Sequence, residues 1–274
     1  ENMNSFKSIR FMRMYLTEFE NPVVLRFAQL QLVGQQYRKY PYDLNAGNQL
    51  EVPEKYDAKF TVGTVSIEEN SQLGSESSGK YNYTVPPGWE RDRDFTQPNQ
   101  NFLLNEQAMS MCVTDLKDGD SRAVFKNVNL DLQFRKRLKM YVHMHSDDPM
   151  VGGTAVFMRL GTDVTQNYYE IEKSNLVATR PGEAAPSAVW PEANEINFDL
   201  QELLRVKSAR NREWGRSYSE PYTMRSRDGN YRITVVGNPD LSQVRVVMIG
   251  MRNPPSDDER PQSFCLWVNE MHAE

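Results

Sequence analysis

The sequence has 274 residues, of which 39% are hydrophobic, and this is enough for one large β domain or two smaller ones with a sizeable core. Its 32 basic and 37 acidic side chains are interspersed along the chain and give a formal net charge of -5. This pattern excludes a disordered tail, and it excludes nucleic-acid binding, which needs a clustered basic face. The densest basic run, Arg135 to Arg137 with Lys139, is interpreted as a solvated strand edge, with a polyanion site as the alternative.

The N-terminal segment has neither the charged region nor the apolar region of a signal peptide, and Met3 is not the first residue. We therefore expect a piece of a longer precursor, whose localisation cannot be deduced from its first residues. The longest apolar run is only a few residues, so the sequence predicts no transmembrane helix.

Alternating and β-branched patterns predict about ten strands along the chain. A single helix is predicted over residues 198–210, with Asn197 as its N-cap, and residues 68–107 are predicted to form a long irregular connection. One helix beside so many strands predicts an all-β fold, a jelly-roll-like β-sandwich. In chain order the predicted strands are Ile9–Leu16, Val23–Val33, Phe60–Ile67, Ala108–Asp115, Leu138–His145, Thr154–Arg159, Tyr168–Lys173, Tyr231–Val236, Val244–Met251 and Phe264–Met271.

The two ends of the chain resemble each other. Residues 8–30 have a strand, an Asn-Pro turn and a second strand, and residues 243–271 repeat this order. Duplication explains the repeat, and chance similarity between two β-hairpins is the alternative. Duplication predicts three parts: residues 1–45 as the terminal strand pair of a preceding module, 46–107 as an irregular connection, and 108–274 as a complete β-sandwich module.

The two cysteines, Cys112 and Cys265, each lie in an apolar run. Two buried free thiols and a disulfide between an early strand and the last strand are both compatible with this pattern. Two cysteines alone cannot form a structural zinc site.

Few residues offer catalytic or metal-binding chemistry. His143 and His145 share a strand face, which suits a metal, but no third ligand follows, so they are interpreted as ordinary strand histidines. Glu170 and Glu172 also share a face; a solvated face is favoured over a glycosidase carboxylate pair. The sequence lacks the motifs of nucleotide-binding loops and of serine hydrolases. The remaining candidates are interpreted as turn aspartates rather than calcium ligands: Asp115, Asp118, Asp120 and Asp163.

Three tryptophans, Trp89, Trp190 and Trp214, fall in loop-like sequence. They could form a sugar-binding surface, although Trp190, next to a proline, is equally suited to plugging the end of a sandwich. From residue patterns alone the chain is a β-sandwich that serves as a binding or scaffold module.

Eight further segments lie in order over nearly the whole chain: residues 60–70, 83–88, 104–107, 120–127, 137–143, 157–163, 167–170 and 267–270. Together they resemble the SprA/Sov family. The members of that family are the giant outer-membrane translocons of the type IX secretion and gliding-motility system of Bacteroidetes.

The resemblance implies an internal fragment of a much longer chain, whose remainder forms a transmembrane β-barrel. The fragment would be a non-catalytic module at the periplasmic or cell-surface side of the outer membrane, itself not spanning the membrane and without a cofactor. Its partners would be the rest of the barrel, other secretion proteins and possible secreted cargo. A carbohydrate-binding module of a cell-surface protein is the alternative. The resemblance implies no catalytic residue, and the matched residues 161–163 and 167–170 are interpreted as turn and strand determinants.

Overall fold

The computed structural model describes residues 37–44, 58–71, 80–91, 93, 103–269 and 271–274. The opening strand pair, predicted within residues 9–33, lies outside these ranges. The predicted division of the chain at residues 45 and 107 stays a prediction.

The largest element is an antiparallel sheet of seven strands in the order β1-β4-β12-β7-β8-β11-β10. The sequences of its central strands are mostly apolar because both faces of these strands are buried. The seven strands are β1 Arg38–Lys39, β4 Ser121–Leu130, β7 Ala155–Gly161, β8 Tyr168–Ser174, β10 Tyr222–Arg225, β11 Arg232–Val236 and β12 Val244–Arg252.

Two smaller antiparallel sheets complete the β-structure of the described residues. The four-stranded sheet has the order β2-β3-β13-β6, and the three-stranded sheet has the order β14-β5-β9. Their strands are β2 Lys59–Ser66, β3 Gln107–Leu116, β5 Arg137–Met140, β6 Val142–His145, β9 Ile196–Asp199, β13 Gln262–Val268 and β14 His272–Ala273.

The main core is built from the inner faces of the seven- and four-stranded sheets. Alternate residues of the central strands point into it, as the two-residue period requires: Val156 and Met158 from β7, Met111 and Val113 from β3, and Leu266 from β13. The chain crosses between these sheets after β3, after β6 and after β12. This confirms the predicted all-β sandwich.

Helical structure is short in the described residues. The α-helices are α1 Ile67–Asn70, α2 Pro186–Val189 and α3 Gln201–Arg212, and 3₁₀ turns lie at Glu192–Asn194 and Leu241–Gln243. Helix α3 contributes Leu203 and Val206 to the main core and packs against β10 and β11. Its N-cap is Leu200, and the Asp199 side chain accepts a hydrogen bond from the Gln201 amide at 2.9 Å. The predicted helix start, with Asn197 as the N-cap, is therefore wrong: residues 196–199 form β9 instead.

Three further predictions from the sequence need correction. The predicted strand Leu138–His145 is two strands, β5 and β6, which belong to different sheets and meet at Tyr141. The closing strand pair is not a hairpin, since β12 and β13 also lie in different sheets and the Asn253-Pro254 segment crosses between them. Strand β4 was missed. It is buried on both faces over its first residues, so its sequence lacks a clear alternation of polar and apolar side chains.

Candidate functional site

The outer face of the seven-stranded sheet carries buried charged side chains. On neighbouring strands, Arg159 is opposite Glu170, and Glu172 is opposite Arg232. Arg252, on β12, points to the same face and completes the group. We call these five residues the arginine–glutamate face. The two glutamates lie on one face of β8, as their spacing predicts. The prediction that this face is solvated is wrong, because both glutamates are buried.

The five side chains form a continuous network of ion pairs. Glu170 accepts from Arg159 Nε at 2.7 Å and from Arg252 Nη1 at 2.9 Å. Glu172 accepts from Arg232 Nη2 at 2.7 Å and also pairs with Arg252. Arg252 therefore bridges both glutamates, and each glutamate also has an arginine of its own. Such mutual pairing offsets the cost of removing the charges from water.

The network keeps Glu170 ionised. Burial by itself would raise the pKa of this carboxyl group, but the charges of Arg159 and Arg252 outweigh burial and lower the pKa to about 2. Conversely, burial would lower the pKa of Arg252, and the two glutamates raise it above its ordinary value. A carboxylate that stays ionised to about pH 2 cannot act as a general acid near neutral pH.

A cavity of about 340 Å³ opens above this face. Arg159, Glu170, Arg232 and Arg252 are among the residues that line it, and Pro255 forms part of its wall. A second cavity of about 720 Å³ also borders Arg232 and Pro255. The two cavities therefore adjoin along the outer face of the sheet.

The turn between β7 and β8 holds one end of this face. Asp163 accepts hydrogen bonds from the backbone amides of Thr165 and Asn167 at 3.0 Å. A Cβ atom at Gly161 would lie 2.0 Å from the Asn167 carbonyl oxygen, so only glycine fits there. These contacts agree with the interpretation of Asp163 as a turn aspartate. Beyond the turn, however, Tyr168 and Glu170 line the cavity. The interpretation of residues 167–170 as strand determinants alone did not predict this position.

The outer face of the four-stranded sheet is different. It carries a cluster of apolar side chains under the segments around residues 83 and 190, which includes Val65, Tyr83, Val189, Trp190 and Trp267. Together with His143 and His145 we call this the aromatic face. Trp190 donates a hydrogen bond from Nε1 to the Thr84 carbonyl at 2.7 Å, so its only polar atom is satisfied.

His143 and His145 are hydrogen-bonded to each other, with His143 Nε2 and His145 Nδ1 2.8 Å apart. The second nitrogen of His143 lies 2.8 Å from the Val189 carbonyl. A carbonyl can only accept, so His143 Nδ1 carries the proton and Nε2 accepts from His145. Burial lowers the pKa of His143 to about 3 and that of His145 to about 4. Both side chains are therefore neutral near pH 7, and the shared strand face predicted from their spacing is present.

Cys112 and Cys265 are direct cross-strand neighbours on β3 and β13. The structure joins them in a disulfide, with their Cα atoms 4.0 Å apart. Of the two alternatives compatible with the sequence, free thiols or a disulfide, the structure contains the disulfide. It lies beside His145, which is opposite Cys265 on β6.

The three candidate tryptophans have different environments. Trp214 is fully exposed after the end of α3, and Trp89 is 37% exposed with its ring 4.6 Å from the ring of His272. Trp190 is only 2% exposed. A surface role for Trp190 is therefore wrong, because this side chain is part of the aromatic face. The structure does not bring the three into one platform, since Trp190 lies beneath the surface.

The other candidate residues take structural roles. Asp118 accepts a hydrogen bond from the Ser256 amide at 2.9 Å, and Asp120 pairs with Arg122 at 2.8 Å. Among the described residues, no three histidine, cysteine, aspartate or glutamate side chains are arranged to hold a metal ion. In the basic run, Arg135 and Lys136 are exposed just before β5 and Arg137 is the exposed first residue of β5, but β5 is the middle strand of its sheet rather than an edge.

The sequence did not predict that three arginines join the two glutamates in the arginine–glutamate face. Arg159 stood at the end of a predicted strand, and the final residue of β12, Arg252, lay just beyond one. A charged residue inside an otherwise apolar strand is the one signal that could have pointed to a buried partner.

The antiparallel sheets packed face to face define a β-sandwich protein. Within the ranges the structure describes, no helix is both long and apolar enough to cross a membrane. The chain belongs to a family described as motility related/secretion protein: the family model, SprA_N, matches residues 2–274. This confirms the resemblance to the SprA/Sov family. No curated protein matched the chain.

Proposed function

We propose that this chain is a non-catalytic structural and interaction module of an outer-membrane protein-secretion translocon of the type IX secretion and gliding-motility system. The observation that carries the proposal is the match to a motility and secretion family over residues 2–274. The module would lie on the periplasmic or cell-surface side of the outer membrane. Its partners would be the rest of the translocon, other secretion proteins and secreted cargo.

The chemistry of the buried polar groups supports a non-catalytic role. Glu170 is held ionised by two arginines, and His143 is enclosed beside Val189 and Trp267. Neither is poised to exchange a proton near neutral pH. Both groups stabilise the faces on which they lie.

Trp214 is the best candidate for a contact with a partner. The loop of residues 213–220 is exposed along its whole length, and its fully exposed tryptophan offers a large apolar surface for binding. Trp214 also favours the second candidate function, a carbohydrate-binding module, because a free indole ring can stack on a sugar.

The test is recovery of partners from outer-membrane extract with the immobilised chain, followed by identification of the bound proteins. We expect defined secretion-system components to bind, and Trp214→Ala to reduce their recovery. Arg245→Gln is the control, since Arg245 is exposed on β12 away from this loop. Recovery of no secretion component, with the chain and with the full-length protein alike, would contradict the proposal.

The carbohydrate alternative is tested on a glycan array with the same variants. Glycan binding that is lost in Trp89→Ala or Trp214→Ala would favour the carbohydrate-binding module over the translocon module. We expect no glycan binding that depends on either residue.

A further inference from the structure

The arginine–glutamate face has hydrogen-bond donors that its own network does not use. Arg159 donates from Nε to Glu170 and from Nη1 to the Val164 carbonyl at 2.8 Å, and its Nη2 has no hydrogen-bond partner among the residues that the structure describes. Its side chain is only 7% exposed, yet it lines the cavity. Arg232 donates from Nη2 to Glu172, and its Nε and Nη1 have no hydrogen-bond partner in the described part of the chain. The cavity is therefore lined by N–H groups of two guanidinium ions that remain available.

The carboxylate groups of the network, in contrast, are already occupied. Both oxygens of Glu170 accept hydrogen bonds from arginine, and Glu172 accepts from Arg232 and Arg252 on one oxygen and from Ser174 on the other. A ligand that enters the cavity therefore meets unused arginine donors beside two glutamates whose oxygens are already occupied, and the carboxylate of Asp43 lies elsewhere in the lining of the first cavity. A guanidinium group with a free N–H bond donates a charge-assisted hydrogen bond to a carboxylate, and such bonds are stronger than those between neutral groups.

The lining favours polypeptide over sugar as the source of that carboxylate. Sugar rings bind by stacking on exposed aromatic faces. Tyr168 is buried, and the guanidinium group of Arg159 covers its ring at 4.3 Å from the centroid. The other aromatic lining residue in the described part of the chain, Tyr40, packs edge-on against Tyr42 and Phe125. An aromatic platform for a sugar is therefore missing from the described lining.

The form of the site suits an extended chain. The two adjoining cavities share Arg232 and Pro255, which gives an elongated groove along the sheet rather than a closed pocket. The first cavity, at about 340 Å³, is large enough for an amino-acid side chain with its flanking backbone.

We propose that this groove binds an acidic segment of extended polypeptide, with a carboxylate of the segment accepting hydrogen bonds from Arg159 Nη2 and from Arg232. The proposal rests on the side chains of the groove and does not depend on the secretion role. The two can therefore fail separately.

The test is isothermal titration calorimetry of the 274-residue chain with a short end-capped peptide in which glutamate alternates with serine. The same peptide with glutamine in place of glutamate is the comparison ligand. We expect the glutamate peptide to bind and Arg232→Gln to weaken binding on the order of tenfold, since a charge-assisted hydrogen bond is lost. The glutamine peptide should bind the unaltered chain no more tightly than the glutamate peptide binds the Arg232→Gln variant.

Arg245→Gln is the matched control, because it removes the same charge from an exposed arginine of the same sheet that does not line either cavity. Thr223→Tyr is the second variant. Thr223 is exposed and lines the first cavity, so a larger side chain should block the groove and leave the arginines and the fold intact.

Three outcomes would overturn the proposal. The first is no binding of the glutamate peptide at millimolar concentration. The second is equal weakening by Arg232→Gln and Arg245→Gln, which would mean non-specific charge attraction. The third is tighter binding of an oligogalacturonate of matched charge than of the peptide, which would assign the groove to acidic sugars.

Discussion

The outer faces of the two larger sheets differ in how their side chains find partners. On the seven-stranded sheet, arginines and glutamates neutralise one another and the face stays open as a cavity. On the four-stranded sheet, Trp190 and its neighbours are covered by other segments of the chain. A face that satisfies its own charges can remain accessible to a ligand, whereas a face closed by protein serves stability. The following predictions test whether this division holds.

The largest effect should follow from breaking the arginine–glutamate face. We expect Glu170→Gln to lower the free energy of unfolding by about 3–5 kcal/mol, because it leaves Arg159 and Arg252 buried without their shared charge. Glu192→Gln, at an exposed site, is the control and should change it by less than about 0.5 kcal/mol. Chemical denaturation measures both. Equal stability of the two variants would show that the network contributes nothing.

Two tryptophans provide a matched pair for the aromatic face. We expect Trp190→Ala to cost about 3–5 kcal/mol, because it removes a large buried side chain and leaves a cavity. Trp214→Ala should change stability by less than about 0.5 kcal/mol, since Trp214 is fully exposed. Denaturation in urea compares the two variants. A large decrease in the free energy of unfolding for Trp214→Ala would mean that its loop is structurally important.

Reduction of the disulfide should destabilise the fold by a smaller amount. Cys112 and Cys265 are separated by 153 residues, and a covalent link across so long a loop restricts the unfolded chain. We expect reduction to lower the free energy of unfolding by about 2–4 kcal/mol, measured by denaturation with and without dithiothreitol. A variant with both Cys112→Ala and Cys265→Ala should not respond to the reductant; a response would locate the effect elsewhere.

The effect of the histidine pair should be absent at neutral pH and should appear only as the pH falls. His143 and His145 have pKa values of about 3 and 4 in the folded chain, below the value of about 6.5 in the unfolded chain. Between pH 6.5 and 4 the unfolded state therefore binds more protons, and stability falls as the pH falls. Each histidine should contribute about 1.4 kcal/mol per pH unit.

The slope is measured by urea denaturation between pH 7 and pH 5. The variant His145→Gln should retain about half of it, because one titrating group is removed. An unchanged slope would mean that other groups cause the loss of stability.

Part of the fold and of the site could be predicted from local patterns. Tyr168–Ser174 was recognised as a strand from its alternation, and the same alternation placed Glu170 and Glu172 on one face. The prediction that this face is exposed to solvent was wrong. The burial of the two glutamates depends on Arg252, which is 80 residues from Glu172 in sequence. Similarly, residues 196–199 were assigned to the helix, but their pairing with β5 outweighs the local helical pattern.

Local patterns along the chain are enough to predict the all-β class, the faces that alternate side chains share, and the family. These follow from the two-residue period of a strand and from segments that match in order. The burial of the two glutamates, the burial of Trp190 and the pairing of Cys112 with Cys265 become visible in the folded chain alone. The physical reason is that burial and pairing depend on contacts between residues far apart in the chain. The local spacing of polar and apolar residues does not indicate these contacts.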